Sequence, residues 1–191
     1  SEVTLYDAET GKPRGALAGH TGDVRAVDFS PDGKRVATAG VDKSVRLWDA
    51  ATGKAGSILN GHAEAVNCAR FSPKSKFLAT GSWDKTVRLW EAEGGKHLAV
   101  LEGHTDFVRD LAFTADGKWL VSCGKDGPVR VWDVENRKLA RTLEGHSGLV
   151  RSLTLSPDDR WLVTAGRDGQ LFVWAFAAGK VRAAMDEGAI G

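Results

Sequence analysis

The sequence predicts an all-β fold assembled from about four and a half copies of one four-stranded antiparallel unit. Three observations carry this expectation. Gly-His recurs at Gly19-His20, Gly61-His62, Gly103-His104 and Gly145-His146, a step of 42 residues each time with no insertion. Tryptophan (Trp48, Trp90, Trp132, Trp174) and aspartate (Asp42, Asp84, Asp126, Asp168) recur at the same step. Short apolar runs alternate with turn residues, and glycine is plentiful at 23 while proline is scarce at 5, which suits many tight turns.

Within the first full block each run reads as a strand. Val24 to Phe29 is apolar and ends at the turn Ser30-Pro31-Asp32-Gly33. Arg35 to Ala39 follows and ends at Gly40-Val41-Asp42-Lys43. Val45 to Trp48 is third, ended by Thr52-Gly53-Lys54, and Ser57 to Leu59 is fourth, ended by Asn60-Gly61. Four short strands with a turn about every ten residues predict an antiparallel meander. The runs are nearly continuous rather than alternating, so both faces of each sheet are expected to be covered. A four-stranded unit of about 42 residues that stacks on copies of itself is a propeller blade.

The blocks run 19–60, 61–102, 103–144 and 145–186, followed by a tail over 187–191. Residues 1–18 align with the second half of a block: Val3-Thr4-Leu5-Tyr6-Asp7 matches Val45-Arg46-Leu47-Trp48-Asp49, and Thr10-Gly11-Lys12 matches Thr52-Gly53-Lys54. They are therefore expected to form the third and fourth strands of a blade.

Composition narrows the function. Lys+Arg 26 against Asp+Glu 25 gives a net charge of +1, which argues against a globally basic nucleic-acid binder. Two cysteines, Cys68 and Cys123, support no disulfide framework and no cysteine-rich zinc module. No apolar run is long enough to span a membrane, and no leader pattern is visible, so a cytoplasmic location is expected.

With the Gly-His pairs, the Ser-Pro-Asp-Gly turn, the aspartate before the third strand and the closing Trp-Asp in phase, the chain resembles the WD-repeat (WD40) β-propeller family over essentially its whole length. The resemblance implies a hydrogen-bonded tetrad in each blade. The sets are Trp48-Thr38-His20-Asp42, Trp90-Thr80-His62-Asp84, Trp132-Ser122-His104-Asp126 and Trp174-Thr164-His146-Asp168. Indole donates, hydroxyl and imidazole do both, and carboxylate accepts, so such a chain leaves no partner idle. Departures are Tyr6 in place of tryptophan, Trp174-Ala175 in place of Trp-Asp, the third-strand segment Gln170-Leu171-Phe172, and Lys74-Ser75 in place of Asp-Gly.

His, Asp and Ser/Thr together mimic a catalytic triad, but four copies in fixed phase with an indole on the hydroxyl read as architecture. The same spacing places each His in a separate blade, so no metal site is expected. No phosphate loop, no dinucleotide fingerprint and no hydrolase or metalloprotease motif occurs. Cys68 and Cys123 read as buried thiols, and His97 as a surface residue. No enzyme activity and no cofactor are expected.

In the resembling family the narrow face of the ring is the usual docking surface. The corresponding positions are Asp23, Arg25 and Val41; Ala65, Asn67 and Trp83; Phe107, Arg109 and Lys125; Leu149, Arg151 and Arg167. Large apolar side chains beside five cations and one anion have the composition of an interface. The resemblance thus implies a non-enzymatic protein-interaction scaffold, with Arg25, Asn67, Trp83, Phe107, Arg109, Lys125, Leu149, Arg151 and Arg167 as candidate contacts for an acidic or phosphorylated segment. A half-blade is expected to seek a ring, which two copies joined head to tail would complete with eight or nine blades. The alternatives are a regulatory or sensor segment of a larger bacterial signalling protein, such as a kinase or NTPase, and a blade assembly with no ligand.

Overall fold

The computed structural model describes residues 2–186, so the expected tail over 187–191 lies outside the described residues. A two-stranded sheet, β1 (Glu2–Tyr6) and β2 (Pro13–Ala18), comes first. The next sheet holds β3 (Val24–Phe29), β4 (Arg35–Gly40), β5 (Val45–Asp49) and β6 (Ala55–Leu59). Then come β7 (Val66–Phe71), β8 (Phe77–Ser82), β9 (Val87–Glu91) and β10 (His97–Leu101), followed by β11 (Val108–Phe113), β12 (Trp119–Gly124), β13 (Val129–Asp133) and β14 (Lys138–Leu143). The last sheet holds β15 (Val150–Leu155), β16 (Trp161–Gly166), β17 (Gln170–Ala175) and β18 (Lys180–Asp186). Each is an antiparallel meander in chain order, and the described residues contain no helix. Fourth strands start earlier than the apolar pattern suggests. In the first full blade a shift of register between Arg46 and Trp48 lets Ala55 pair with Trp48.

The sheets stack face to face, with the first strands β3, β7, β11 and β15 side by side. Between the first two full blades, Ala37, Ala39, Val45, Leu47 and Leu59 meet Ala69, Phe71, Leu78 and Trp90. The same layer repeats between the second and third and between the third and fourth blades. The half-blade supplies Val3, Leu5 and Leu17 against Val36 and Trp48. Among the described residues its sheet holds two strands, and Val27 is 50% and Phe29 54% exposed, whereas the equivalent Ala69 and Phe71 are 0% and 6%. Side chains also lace the inner strands: Phe71 N donates to Asp28 Oδ2 at 2.8 Å, and Leu153 N to Asp110 Oδ2 at 3.2 Å.

Some turns place a non-glycine residue in the left-handed region. The outer hairpin turn needs a left-handed residue, supplied by Gly53, Gly95 and Gly179 and, in the third blade, by Arg137 at φ 54°. A non-glycine there costs about 1–2 kcal/mol; Arg137 anchors itself by donating from Nη1 to Leu98 O at 3.0 Å. Ser75 likewise sits at φ 54°, and its Oγ accepts from Asp32 N of the preceding blade at 3.3 Å.

Each first strand carries one irregularity. Val24 pairs with Gly40 and Ala26 with Ala39, so Arg25 has no opposite residue. The same bulge falls on Asn67, Arg109 and Arg151. A bulge bends the strand and re-aims a side chain. The close approach leaves no room opposite: a Cβ on Gly40 would lie 2.5 Å from Asp23 O. Gly40→Ala is expected to destabilise by about 1–3 kcal/mol. Gly148→Ala, with nothing within 4 Å of its Cβ, is expected to stay within about 0.5 kcal/mol. Urea unfolding of the two variants checks both values.

Buried tetrads and the candidate docking face

Four residues far apart in sequence meet inside each blade. The third strand delivers the tryptophan, the second the hydroxyl, the loop before the first strand the histidine, and the turn between second and third strands the aspartate. Trp48 Nε1 donates to Thr38 Oγ1 at 2.8 Å, His20 Nε2 lies 2.8 Å from the same oxygen, and His20 Nδ1 lies 2.9 Å from Asp42 Oδ2. Trp90, Thr80, His62 and Asp84 repeat this at 2.9, 2.8 and 2.8 Å. Trp132, Ser122, His104 and Asp126 do so at 2.8, 2.7 and 2.9 Å. Trp174, Thr164, His146 and Asp168 do so at 2.9 Å throughout. All four hydroxyl residues are fully buried.

The donors fix the direction of the chain. Indole N–H can only donate, so the hydroxyl accepts there and its proton goes to imidazole Nε2; Nδ1–H then serves the carboxylate. Each aspartate also accepts the backbone N–H after its histidine, as from Thr21 at 2.9 Å. Burial would raise the Asp42 carboxyl, but bonds from Thr21, Ser44 and His20 outweigh it and hold it down to about 2. Burial lowers His62 and His104 below their usual value, with Asp84 and Asp126 opposing it only in part. The hydroxyls are sealed from solvent and already accept from an indole.

The third blade solves one problem differently. Ser44 Oγ and Thr86 Oγ1 donate to their aspartates at 2.8 and 2.6 Å. Pro128 stands at that position and has neither hydroxyl nor N–H. Arg130 takes over, donating from Nη1 to Asp126 Oδ2 at 2.7 Å while only 7% exposed. Pattern reading did not single out this residue, because the equivalent Arg46 and Arg88 carry the same letter without that bond; the proline was the available signal. In the fourth blade Phe172 holds the position and packs edge-on against His146 at 4.6 Å.

On the loop face, backbone bonds tie the two loops of each blade together: Val41 N to Asp23 O at 2.9 Å, Trp83 N to Ala65 O at 2.9 Å, Lys125 N to Phe107 O at 3.0 Å, and Arg167 N to Leu149 O at 2.7 Å. A cation–aromatic stack then crosses three blades. Arg25 lies 4.7 Å over Trp83, Trp83 pairs with Phe107 at 5.8 Å, and Lys125 lies 5.3 Å over Phe107. Trp83 is 41% exposed, Phe107 and Leu149 are half-buried, and Arg109, Arg151 and Arg167 are exposed.

Asn67 corrects the sequence reading. It is 7% exposed, donates Nδ2 to Val108 O at 3.0 Å, and accepts from Arg25 Nη1 at 3.4 Å. Its short side chain folds between first strands, where it positions Arg25.

Arg25, Asn67, Arg70, Arg109, Asp110 and Arg151 line one cleft where the first strands converge. Arg70 Nη2 is 3.3 Å from Asp110 Oδ1. Cys68 and Cys123 are buried, and burial pushes the Cys68 thiol up to about 12 and Cys123 well above its usual value, which makes both inert. His97 is exposed and packs edge-on against Trp90 at 5.0 Å. Among the described residues no group of three or more His, Cys, Asp or Glu is placed to hold a metal ion, and no helix is long and apolar enough to cross a membrane.

Comparison with known proteins places the molecule. The model of the "WD domain, G-beta repeat" family (WD40) matches residues 11–49, 53–91, 95–133 and 137–175. The chain belongs to the WD-repeat family. The matched unit begins with the last strand of one blade and ends with the third strand of the next, so sequence repeat and sheet are offset by one strand. Among solved structures, the one titled "Structure of U3-55K" has a TM-score of 0.82 and 30% identity over 89% of this chain and 54% of that chain. The chain therefore spans about half the length of that protein. A search of curated proteins finds no match. Members of the family are generally interaction scaffolds that bind proteins or peptides.

Two predictions follow from the tetrads. His104→Ala and His62→Ala are each expected to destabilise by about 1–3 kcal/mol, the cost of orphaning buried partners, read by denaturant melts. Acidification is expected to weaken the fold in two stages. His62 and His104 bind protons less readily folded than unfolded, so stability falls as pH drops below the ordinary histidine value of 6.5. Asp42 is depressed from 3.8, so its contribution is full above that value and disappears as pH falls toward about 2. Melts across this range check the sign of both stages.

Proposed function

We propose that the chain is a non-enzymatic interaction module that binds an acidic or phosphorylated polypeptide segment on its loop face. One observation carries this: three exposed arginines, Arg25, Arg109 and Arg151, line one cleft beside the Trp83–Phe107 pair. Arg forms bidentate bonds to carboxylate and phosphate, and aromatics with Arg make interface anchors. Balanced net charge, with Lys+Arg 26 against Asp+Glu 25, favours a protein segment over nucleic acid. A cytoplasmic location fits such a partner. Arg109→Glu is expected to weaken binding of a glutamate-rich nine-residue peptide at least tenfold by fluorescence anisotropy, while Lys180→Glu, in the last strand, leaves it unchanged. Equal binding by both variants would contradict the reading.

Self-association is the second part of the proposal: two copies, head to tail, share one ring of eight or nine blades. The support is a pair of uncovered end faces. Tyr6, Val27 and Phe29 are 64%, 50% and 54% exposed at one end. Met185 is 50% exposed at the other, where the equivalent Leu59, Leu101 and Leu143 are buried. Exposed apolar surface of this kind marks association. Light scattering is expected to give twice the 20.4 kDa chain mass, reverting to one mass in Phe29→Asp. The alternative is a regulatory or sensor segment of a larger signalling protein, and a strictly monomeric mass would support that reading.

A further inference from the structure

We propose a second binding site, on the face opposite the loop face: the cleft between the second and third full blades takes one carboxylate group at the turn Ser72-Pro73-Lys74-Ser75.

The chain supplies its own template for this site. The turn between first and second strands is built alike in all four full blades. The hydroxyl residue that opens it donates its backbone N–H to the carbonyl five residues on: Ser30 to Arg35, Ser72 to Phe77, Thr114 to Trp119 and Ser156 to Trp161, at 2.8 to 3.0 Å. Its side-chain oxygen accepts the N–H of that same residue at 2.9 or 3.0 Å. In three blades an aspartate then takes two more bonds on one oxygen. Asp32 Oδ1 accepts from Ser30 Oγ at 2.6 Å and from Lys34 N at 3.1 Å. Asp116 Oδ1 accepts from Thr114 Oγ1 at 2.8 Å and from Lys118 N at 2.9 Å. Asp158 Oδ1 accepts from Ser156 Oγ at 2.6 Å and from Arg160 N at 3.1 Å. The hydroxyl and backbone donors hold the Asp32 and Asp158 carboxyls below their usual value, so this seat favours an ionised carboxylate.

The second blade keeps both donors and has no carboxylate of its own for them. Lys74 stands at the aspartate position. Ser72 is only 3% exposed, and among the described residues neither its hydroxyl proton nor the Lys76 N–H meets an acceptor. A buried donor without a partner is unfavourable. Because the backbone of the turn matches its three sisters, the two donors converge where those turns hold a carboxylate oxygen.

The surroundings suit an anion that comes from outside the turn. Ser72 lines a cleft of about 450 Å³, and Lys74, Lys76, Lys118 and Arg137 bring four cations to it. Of its two acidic residues, Asp116 is already held by Thr114 and Lys118, which leaves Glu135 on the third-blade wall as the competing charge. Lys74 puts a positive charge where the sister turns carry a negative one. Phe77 and Val134 add an apolar wall for the carbon atoms behind the carboxylate. Such a group belongs either to a short aliphatic acid or to an aspartate side chain of a partner polypeptide.

The test follows backbone amides of the full chain by NMR during titration with acetate and, separately, with N-acetyl-aspartate methylamide, at constant ionic strength against chloride. The Lys76 amide is expected to move saturably with acetate and not with chloride. The Lys34, Lys118 and Arg160 amides, already bonded to aspartate, should stay in place. Lys74→Asp builds the sister carboxylate into the turn, and the Asp158-Asp159 pair, with Asp159 at φ 55°, shows that aspartate fits before a left-handed residue there. This variant is expected to melt at a higher temperature and to bind acetate at least tenfold more weakly. Tighter binding of the capped aspartate than of acetate would assign the site to a polypeptide side chain, and equal binding to a free acid; either result supports the carboxylate site. A Lys76 amide that ignores both carboxylates, or that moves as far in Lys74→Asp as in the parent, overturns the site. A response to sulfate as strong as to acetate overturns the carboxylate assignment.

Discussion

One buried hydroxyl in each blade carries the organisation of the molecule. Thr38, Thr80, Ser122 and Thr164 are fully buried, and each takes an indole proton and faces an imidazole nitrogen. An unpaired polar group there would cost more than a hydrogen bond gains. The hydroxyl thus ties the third strand to the second, the histidine ties in the loop before the first strand, and the aspartate ties in the turn that follows the second. Three connections that would otherwise wander are fixed by one chain of bonds. The loop face, where the candidate contacts lie, is the outer side of those same connections, so stability and site share one origin.

The same network separates these residue sets from the catalytic triad whose residue types they share. A triad needs a hydroxyl that can lose its proton to the histidine and reach a substrate. Here the hydroxyl oxygen is already an acceptor for tryptophan and is sealed from solvent. The carboxylates hold their histidines in place from a rim position where backbone N–H groups keep them ionised. Arg130 shows how firmly the pattern is enforced: where Pro128 removes the usual donor to Asp126, a buried guanidinium replaces it.

Much of the blade was legible because the period is strict. Residues repeating at 42 mark strands, turns and tetrads, and the in-phase tryptophans read as buried. What the pattern could not convey was the third dimension of single side chains. Asn67 occupies a docking position by alignment, yet its amide is short enough to fold inward and bridge two strands. The bulge that re-aims Arg25, Arg109 and Arg151 leaves no mark in the letters, because the extra residue is absorbed within a strand of unchanged length. Arg137 and Ser75 sit in backbone conformations that glycine usually fills, and only neighbouring blades show which bonds offset the strain. Tyr6 aligns with four buried tryptophans but is exposed, in a sheet of two strands among the described residues.

Indole exchange measured by NMR tests the tetrad account directly. Of the seven tryptophans, Trp48, Trp90, Trp132 and Trp174 donate to buried hydroxyls, while Trp83, Trp119 and Trp161 lie on exposed or half-buried surface. Transferred to deuterated water, four indole N–H signals should persist long after three have vanished, and Thr80→Val should release the Trp90 signal ahead of the other three. Seven indoles exchanging at one common rate would contradict the claim that a buried hydroxyl holds each blade together.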